Sequence, residues 1–492
     1  MAPFHSHLFL PLLLLLLFSL SSPSTSLPTS VCVIGSGIGG SSLSFFLQNQ
    51  TAIPTSHLSI RVFERRGRIG GRTASVNLSG DLFKAGASII HGKNLHAVRF
   101  AELLGLDRVE PDGADWLGIW DGSGFVFKTL KPPPDDSSAI WKWLYGVADA
   151  LLLVKRYGLS LSTMQRFVKD LLDKFMLFYM EPEKRPVFKT VEEMLKWNGL
   201  YGLTQITLEE VLIGADLSSR LISELVTVIT RINYGQSVAM SGLAGAVALA
   251  GSNADLWTVK GGNWLLAKGL LELTKPTLHL HEGIESISDK GDHYLLTSDK
   301  GKEYECDVTV VATPLDEVNI TFVPPVSIPY RRMQHTYTTF IRGLLNPKYF
   351  GLSSIEDIPD LVGTIETPNV SFSSVSILKQ YGERDFAYKI FSRSELDDTL
   401  LDQLFSVRRD TIRIDWPAYP HYKAPEKFAP FLLDERHLYY INTFESAASC
   451  IETSAVAAEN VARLIICRLL QSSTEQNIKP LPTSQEILHS DL

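Results

Sequence analysis

Val31-Cys-Val-Ile-Gly35-Ser-Gly37-Ile-Gly39-Gly40 is a short apolar run that ends abruptly in glycine. Ser41-Ser-Leu-Ser-Phe-Phe-Leu47 follows it, with Leu43, Phe46 and Leu47 at helical spacing. The order predicts a buried strand, a tight turn and a helix, with the glycines in a G-x-G-x-x-G arrangement. In that arrangement Gly35 makes the turn, Gly37 lets backbone approach a pyrophosphate, and Gly40 lets the helix pack closely on the strand, with Gly39 in the same loop. Amides at the helix start then hold the diphosphate. A second strand, Leu58-Ser-Ile-Arg-Val-Phe63, ends at Glu64, placed to accept hydrogen bonds from both hydroxyls of an adenosine ribose. Strand, loop, helix, strand and acid point together to a dinucleotide site in an α/β fold.

The residues after Glu64 choose between dinucleotides. Glu64-Arg-Arg-Gly-Arg-Ile-Gly70-Gly71-Arg72-Thr73 brings two more glycines and a cation, a second close backbone approach and a charge for the same diphosphate. The run from Val31 to Thr73 resembles the start of the flavin-containing amine oxidases, in which Glu-x5-Gly-Gly-Arg is a signature of FAD. Two later segments resemble the same plan. Cys306-Asp-Val-Thr-Val-Val-Ala-Thr-Pro314 reads as a buried strand returning towards the cofactor, and Leu438-Tyr-Tyr-Ile-Asn442 as another. After Thr443-Phe-Glu445-Ser-Ala-Ala-Ser-Cys450-Ile-Glu-Thr453, an alanine-rich helix is expected from about Ser454 to Leu470. The resemblance implies that its N-terminus faces the isoalloxazine, with Glu445 and Thr453 as flavin contacts. Arg65, Arg66 and Arg68 read as a solvated loop or as further diphosphate contacts.

Composition limits the rest. With 492 residues, 45% hydrophobic, the chain is too apolar for disorder and too long for one core. An acidic balance of 46 Lys and Arg against 54 Asp and Glu argues against nucleic acid as a partner. Met1 to Ser30 carries no Lys, Arg, Asp or Glu, and Leu8 to Leu20 is almost unbroken Leu and Phe before a small, polar run. This is the order of a secretory signal peptide, assigned to residues 1–26, and its apolar part is shorter than the about 20 residues that span a bilayer. Ile140 to Leu159, the most apolar helical stretch after it, is broken by Lys142, Asp149, Lys155 and Arg156, so no transmembrane segment is expected in the mature chain. Asn49, Asn77, Asn319 and Asn369 head N-x-S/T triplets and are glycosylation candidates. The four cysteines are too few for a disulfide framework, although four allow three pairings, and Cys32 reads as a buried core thiol. No metal site is expected.

The cofactor motifs are scattered. Residues 30–110, 257–325 and 435–470 are expected to build a Rossmann-like FAD-binding domain, and 111–256 and 326–434 a mixed α+β substrate domain, with 471–492 a flexible tail. The first insert reads as helices, Ile140–Tyr157, Leu161–Tyr179, Val191–Trp197, Leu208–Ile213 and Ser218–Ile232; the second reads as strands, as in Ser371-Phe-Ser-Ser-Val-Ser-Ile377. Aromatic clusters such as Trp141-Lys-Trp143-Leu-Tyr145 and Phe175-Met-Leu-Phe-Tyr179 read first as core.

Over nearly its full length the chain resembles the prenylcysteine oxidases, called farnesylcysteine lyases in plants. The resemblance rests on the motifs above together with Gly86-Ala-Ser-Ile-Ile-His91, Lys260-Gly-Gly-Asn263 and Glu445 to Thr453. It implies oxidative cleavage of the thioether of farnesyl- or geranylgeranyl-cysteine, with O2 as acceptor, to cysteine, a prenyl aldehyde and hydrogen peroxide, in a lysosome or vacuole. Such a reaction needs little acid or base from the protein, because the cofactor carries the hard step. His91 is therefore given no catalytic role, and no catalytic residue is assigned. A flavin amine or polyamine oxidase and a non-enzymatic prenyl-binding carrier of the escort-protein type are the two alternatives.

Overall fold

The computed structural model describes residues 28–111, 116–252 and 255–477. The leader assigned to 1–26 lies outside them. The glycine-rich run folds as its sequence requires: β1 (Thr29–Ile34) passes through Gly35 into α1 (Ile38–Gln48) and returns as β2 (Leu58–Glu64). Three further strands, β3 (Thr277–Leu280), β4 (Val308–Val311) and β5 (Leu438–Tyr440), complete a sheet of order β3-β2-β1-β4-β5, parallel throughout. A parallel sheet must be covered on both faces, and alternation along β1 divides the cover. Val31 and Val33 pack with Leu43 and Leu47 of α1 and with Val456, Val461 and Ile465 of the C-terminal helix α2 (Ile451–Asn477). Cys32 and Ile34 turn to the other side, against Ile287 and Leu296 of a small four-stranded sheet.

Cys32 is buried as expected but is not a free thiol, because it is bonded to Cys306 with their Cα atoms 5.9 Å apart. The cause is register: Val31 pairs with Val308, so the end of the Glu303–Cys306 strand is delivered beside β1. No local pattern in the sequence carries that adjacency. Cys450 and Cys467 are free.

The second half of the molecule is a seven-stranded sheet with helices against it. Its strands run Phe405–Pro420, Met333–Leu345, Asp385–Ser392, Phe372–Gly382, Leu361–Thr364, Leu117–Trp120 and Phe125–Lys128, antiparallel except where Leu361–Thr364 meets Leu117–Trp120. The expected helices form at Ala139–Tyr157, Ser160–Phe175, Val191–Trp197 and Leu208–Gly214. Leu161–Tyr179 closes as a 3-10 turn over Met176–Tyr179, and Ser218–Ile232 is interrupted by a π-helical turn at Ile222–Val226, where the Thr227 hydroxyl donates to the Ile222 carbonyl at 2.8 Å. One expectation fails: Trp141 and Trp143 are exposed rather than core. The helix α2 runs on to Asn477. The remaining tail, 478–492, lies outside the described residues.

Candidate functional site

The carboxyl ends of β1, β2 and β4 open into a cavity of about 690 Å³ that continues between the insert helices and the seven-stranded sheet. This is where open α/β sheets bind ligands. Gly35 sits at φ +114, and a methyl group there would lie 2.6 Å from the Ala312 carbonyl oxygen, so no other residue makes this turn. Gly40 is closed more tightly, its Cβ position falling 2.0 Å from the Gly35 oxygen. Gly37 differs. A methyl group there meets nothing nearer than the Gly71 Cα at 3.9 Å, so its bareness serves the cavity, not the fold. The two glycine loops thus stand together, with α1 beginning at Ile38 and no side chain capping it. Gly39 packs towards Ile441.

Glu64 is buried at the end of β2. One carboxylate oxygen accepts from the Ser36 amide at 3.1 Å and the Ser36 hydroxyl at 2.6 Å; the other accepts from the Arg66 amide at 2.8 Å. A carboxylate accepts about four hydrogen bonds, so capacity remains on the side that lines the cavity. Arg65, Arg66 and Arg68 are exposed, the first two at the cavity rim.

Arg72 is not a loose cation. It donates to the Ala418 carbonyl at 3.0 Å and is paired with Glu445, which also accepts from the Asn442 side-chain Nδ2 at 2.7 Å and faces Arg331 at 3.5 Å. Arg331 was invisible to motif reasoning, as it follows a proline-rich loop with no pattern of its own. Burial alone would lower its pKa, but Tyr440, Glu445 and Asp316 outweigh that and hold it firmly charged. Thr453 lies within the first turn of α2, which starts three residues earlier than expected, and its hydroxyl exchanges hydrogen bonds with Cys450 at 2.9 and 3.1 Å. Burial raises the pKa of the Cys450 thiol and so disfavours the thiolate. Tyr234 and Tyr422 clamp the preceding residue: one hydroxyl donates to the Ser449 carbonyl and the other accepts from its amide, each at 2.9 Å.

Lys260-Gly-Gly-Asn263 has a positioning task. Buried Asn263 donates to the Ala87 carbonyl at 2.7 Å and accepts from the Val259 amide at 2.9 Å, fixing the Gly86–His91 loop along the cavity wall. His91 accepts the Lys93 amide at Nδ1, 3.0 Å, and burial lowers its pKa. Farther in, Leu171, Leu172, Phe175, Ile232 and Val247 make the wall apolar. Among the described residues, Thr336 Oγ1, Thr338 Oγ1 and Trp416 Nε1 on that lining are buried without a partner. Leaving such groups unpaired costs about 1–3 kcal/mol each.

Comparison with known proteins adds to this geometry. A family model described as prenylcysteine lyase matches residues 140–478, and one described as an NAD(P)-binding Rossmann-like domain matches 33–103. The chain is 51% identical to farnesylcysteine lyase of Arabidopsis thaliana, over 98% of this chain and 99% of that protein. It is 34% identical to prenylcysteine oxidase 1 of Homo sapiens, over 89% and 88%. Among solved structures, cyclohexylamine oxidase from Brevibacterium oxydans superposes with a TM-score of 0.59 at 16% identity, covering 90% of this chain and all of that one. Wild-type putrescine oxidase bound to putrescine gives 0.57 at 13%, over 90% and 100%. At such identities these two show the fold, an α/β architecture of amine-oxidase type, and nothing about substrate.

Proposed function

The chain belongs to the prenylcysteine lyase family, and on that premise we propose that it is an FAD-dependent oxidase of S-prenyl-L-cysteine, consuming water and O2 and releasing cysteine, a prenyl aldehyde whose oxygen comes from the water, and hydrogen peroxide. The observation that carries this is the extent of the family match: it covers 140–478, which includes the apolar wall of the cavity, whereas the glycine motifs alone are common to many dinucleotide enzymes.

The cavity fits the cofactor. Gly37 and Gly71 leave room where a diphosphate must come close, and Glu64 keeps acceptor capacity for a ribose. We assign Gly35, Gly37, Gly39, Gly40, Gly71 and Arg72 to the diphosphate, Glu64 to the ribose, and Glu445 and Thr453 to the flavin end. Bound FAD supplies the two-electron oxidation of the allylic carbon beside sulfur and passes the electrons to O2. The chain supplies placement. Glu445 fixes the Arg72 guanidinium, the Asn263-anchored loop places His91 on the cavity wall, and Leu171, Leu172 and Phe175 offer an apolar wall for an isoprenoid. Residues 30–110, 257–325 and 435–470 form the cofactor half in this assignment, and 111–256 with 326–434 the substrate half.

We further propose a lumenal location, in a lysosome or vacuole. The Cys32–Cys306 bond supports an oxidising compartment, and the four sequon asparagines are exposed. Among the described residues no helix is long and apolar enough to cross a membrane. The test is spectroscopic. Purified protein should carry stoichiometric FAD, bleach when farnesylcysteine is added without oxygen, and release peroxide in air from farnesylcysteine but not from spermine. A flavin that stays oxidised under farnesylcysteine overturns the proposal.

A further inference from the structure

The Ala139–Tyr157 helix is almost unpartnered. Of its nineteen residues only Tyr157 is buried, while Ile140 is 71% exposed, Trp143 66%, Leu151 64% and Val154 50%. At about 100° per residue, Trp143, Val154, Val147, Ile140, Leu151 and Leu144 fall within one arc of about 100°. The opposite side holds the anchors: Tyr145 donates to the Leu130 carbonyl at 3.0 Å, Asp149 accepts the Leu130 amide at 2.8 Å, and Arg156 pairs with Glu224 at 2.7 Å. A stripe this apolar, turned to water along a whole helix, is a surface meant to be covered.

We propose that this face lies on a phospholipid surface, with the helix parallel to the membrane plane. Its composition separates a bilayer from a protein partner. The helix has one carboxylate, Asp149, and it is turned inward, so the stripe itself shows no negative charge. Lys155 borders it, while Lys142 lies on the opposite, anchored side and donates to the Asp135 carbonyl at 2.7 Å. An apolar stripe that carries exposed Trp143 and has a lysine at its margin suits acyl chains and headgroup phosphates together. The surface also leads somewhere: the next helix, Ser160–Phe175, places Leu171, Leu172 and Phe175 on the cavity. If the proposed substrate is correct, a lipid held in the membrane enters along this route; the docking itself does not depend on it.

Flotation of the detergent-free holoenzyme with phosphatidylcholine vesicles, with and without phosphatidylserine, tests the surface. The wild type should float with both, more strongly with the anionic lipid, and the variant I140S/W143S/L151S should lose at least about tenfold in partitioning. That variant should keep its FAD absorbance and its peroxide release from dissolved farnesylcysteine, while losing the gain seen when the substrate is supplied in vesicles. Wild type that stays in solution, or a variant that floats equally well, overturns the proposal. So does self-association of the wild type abolished by the three substitutions without vesicle binding, which assigns the face to a second copy. Peroxide absent under every condition while flotation persists counts against the substrate alone.

Discussion

Gly37 and Gly40 sit three residues apart in one loop and do different work. A methyl group at Gly40 strikes the Gly35 oxygen, a backbone atom that cannot move without opening the turn, whereas one at Gly37 projects into space next to Gly71. Gly40→Ala should therefore lower the melting temperature of the apoprotein by several degrees, and Gly37→Ala should leave it within about 2 °C while cutting FAD retention at least tenfold. Thermal unfolding and flavin fluorescence after gel filtration measure the two; a Gly37→Ala protein that keeps its flavin refutes the assignment. Both glycines were legible from sequence because a pyrophosphate turn imposes their spacing. Arg331 was not, since a buried arginine is recognisable only through partners such as Asp316 and Glu445 that lie far from it in the chain. Thr336, Thr338 and Trp416 were hidden for the same reason, as each stands out only because its polar atom is buried without a partner on a residue beside the cavity.

Elements followed their local signals where those signals were complete. Val191–Trp197 formed at its expected boundaries, helped by a capping box in which the Thr190 hydroxyl accepts the Glu193 amide and the Glu193 carboxylate accepts the Thr190 amide. The π turn at Ile222–Val226 and the start of α2 at Ile451 depart from the expected boundaries. The disulfide is likewise a statement about elements, tying β1 to the small sheet across 274 residues of chain. Replacing both cysteines by alanine should cost about 2–5 kcal/mol in denaturant unfolding, most of it through the freed unfolded chain. Equal stability with and without a reducing agent would show that the bond contributes nothing.

At the scale of the molecule, acidity should matter. Burial pushes the Glu426 carboxyl up to about 7, from 4.5 in the open chain, with the Lys423 amide giving partial relief. Its contribution to stability is thus complete below pH 4.5 and is lost as the pH rises through about 7, a loss of at most about 3 kcal/mol. Glu426→Gln should match the wild type at pH 4.5 and exceed it at pH 7.5 in thermal unfolding. Two curves that run parallel across this range would exclude the effect. Preference for the lower pH agrees with the acidic lumen proposed above.

The parallel sheet carries one more consequence, in the order of synthesis. β1 is the central strand, yet its neighbour β4 is made some 270 residues later and the edge strand β5 begins at Leu438. A chain emerging from the ribosome therefore holds its glycine loop early and its sheet late, with β1 lacking one flank through most of translation. Contacts of such long sequence separation fold slowly and leave strand edges open. A transcript truncated before Leu438 encodes every nucleotide-binding glycine but neither the edge strand β5 nor the helix α2 that covers one face of the sheet.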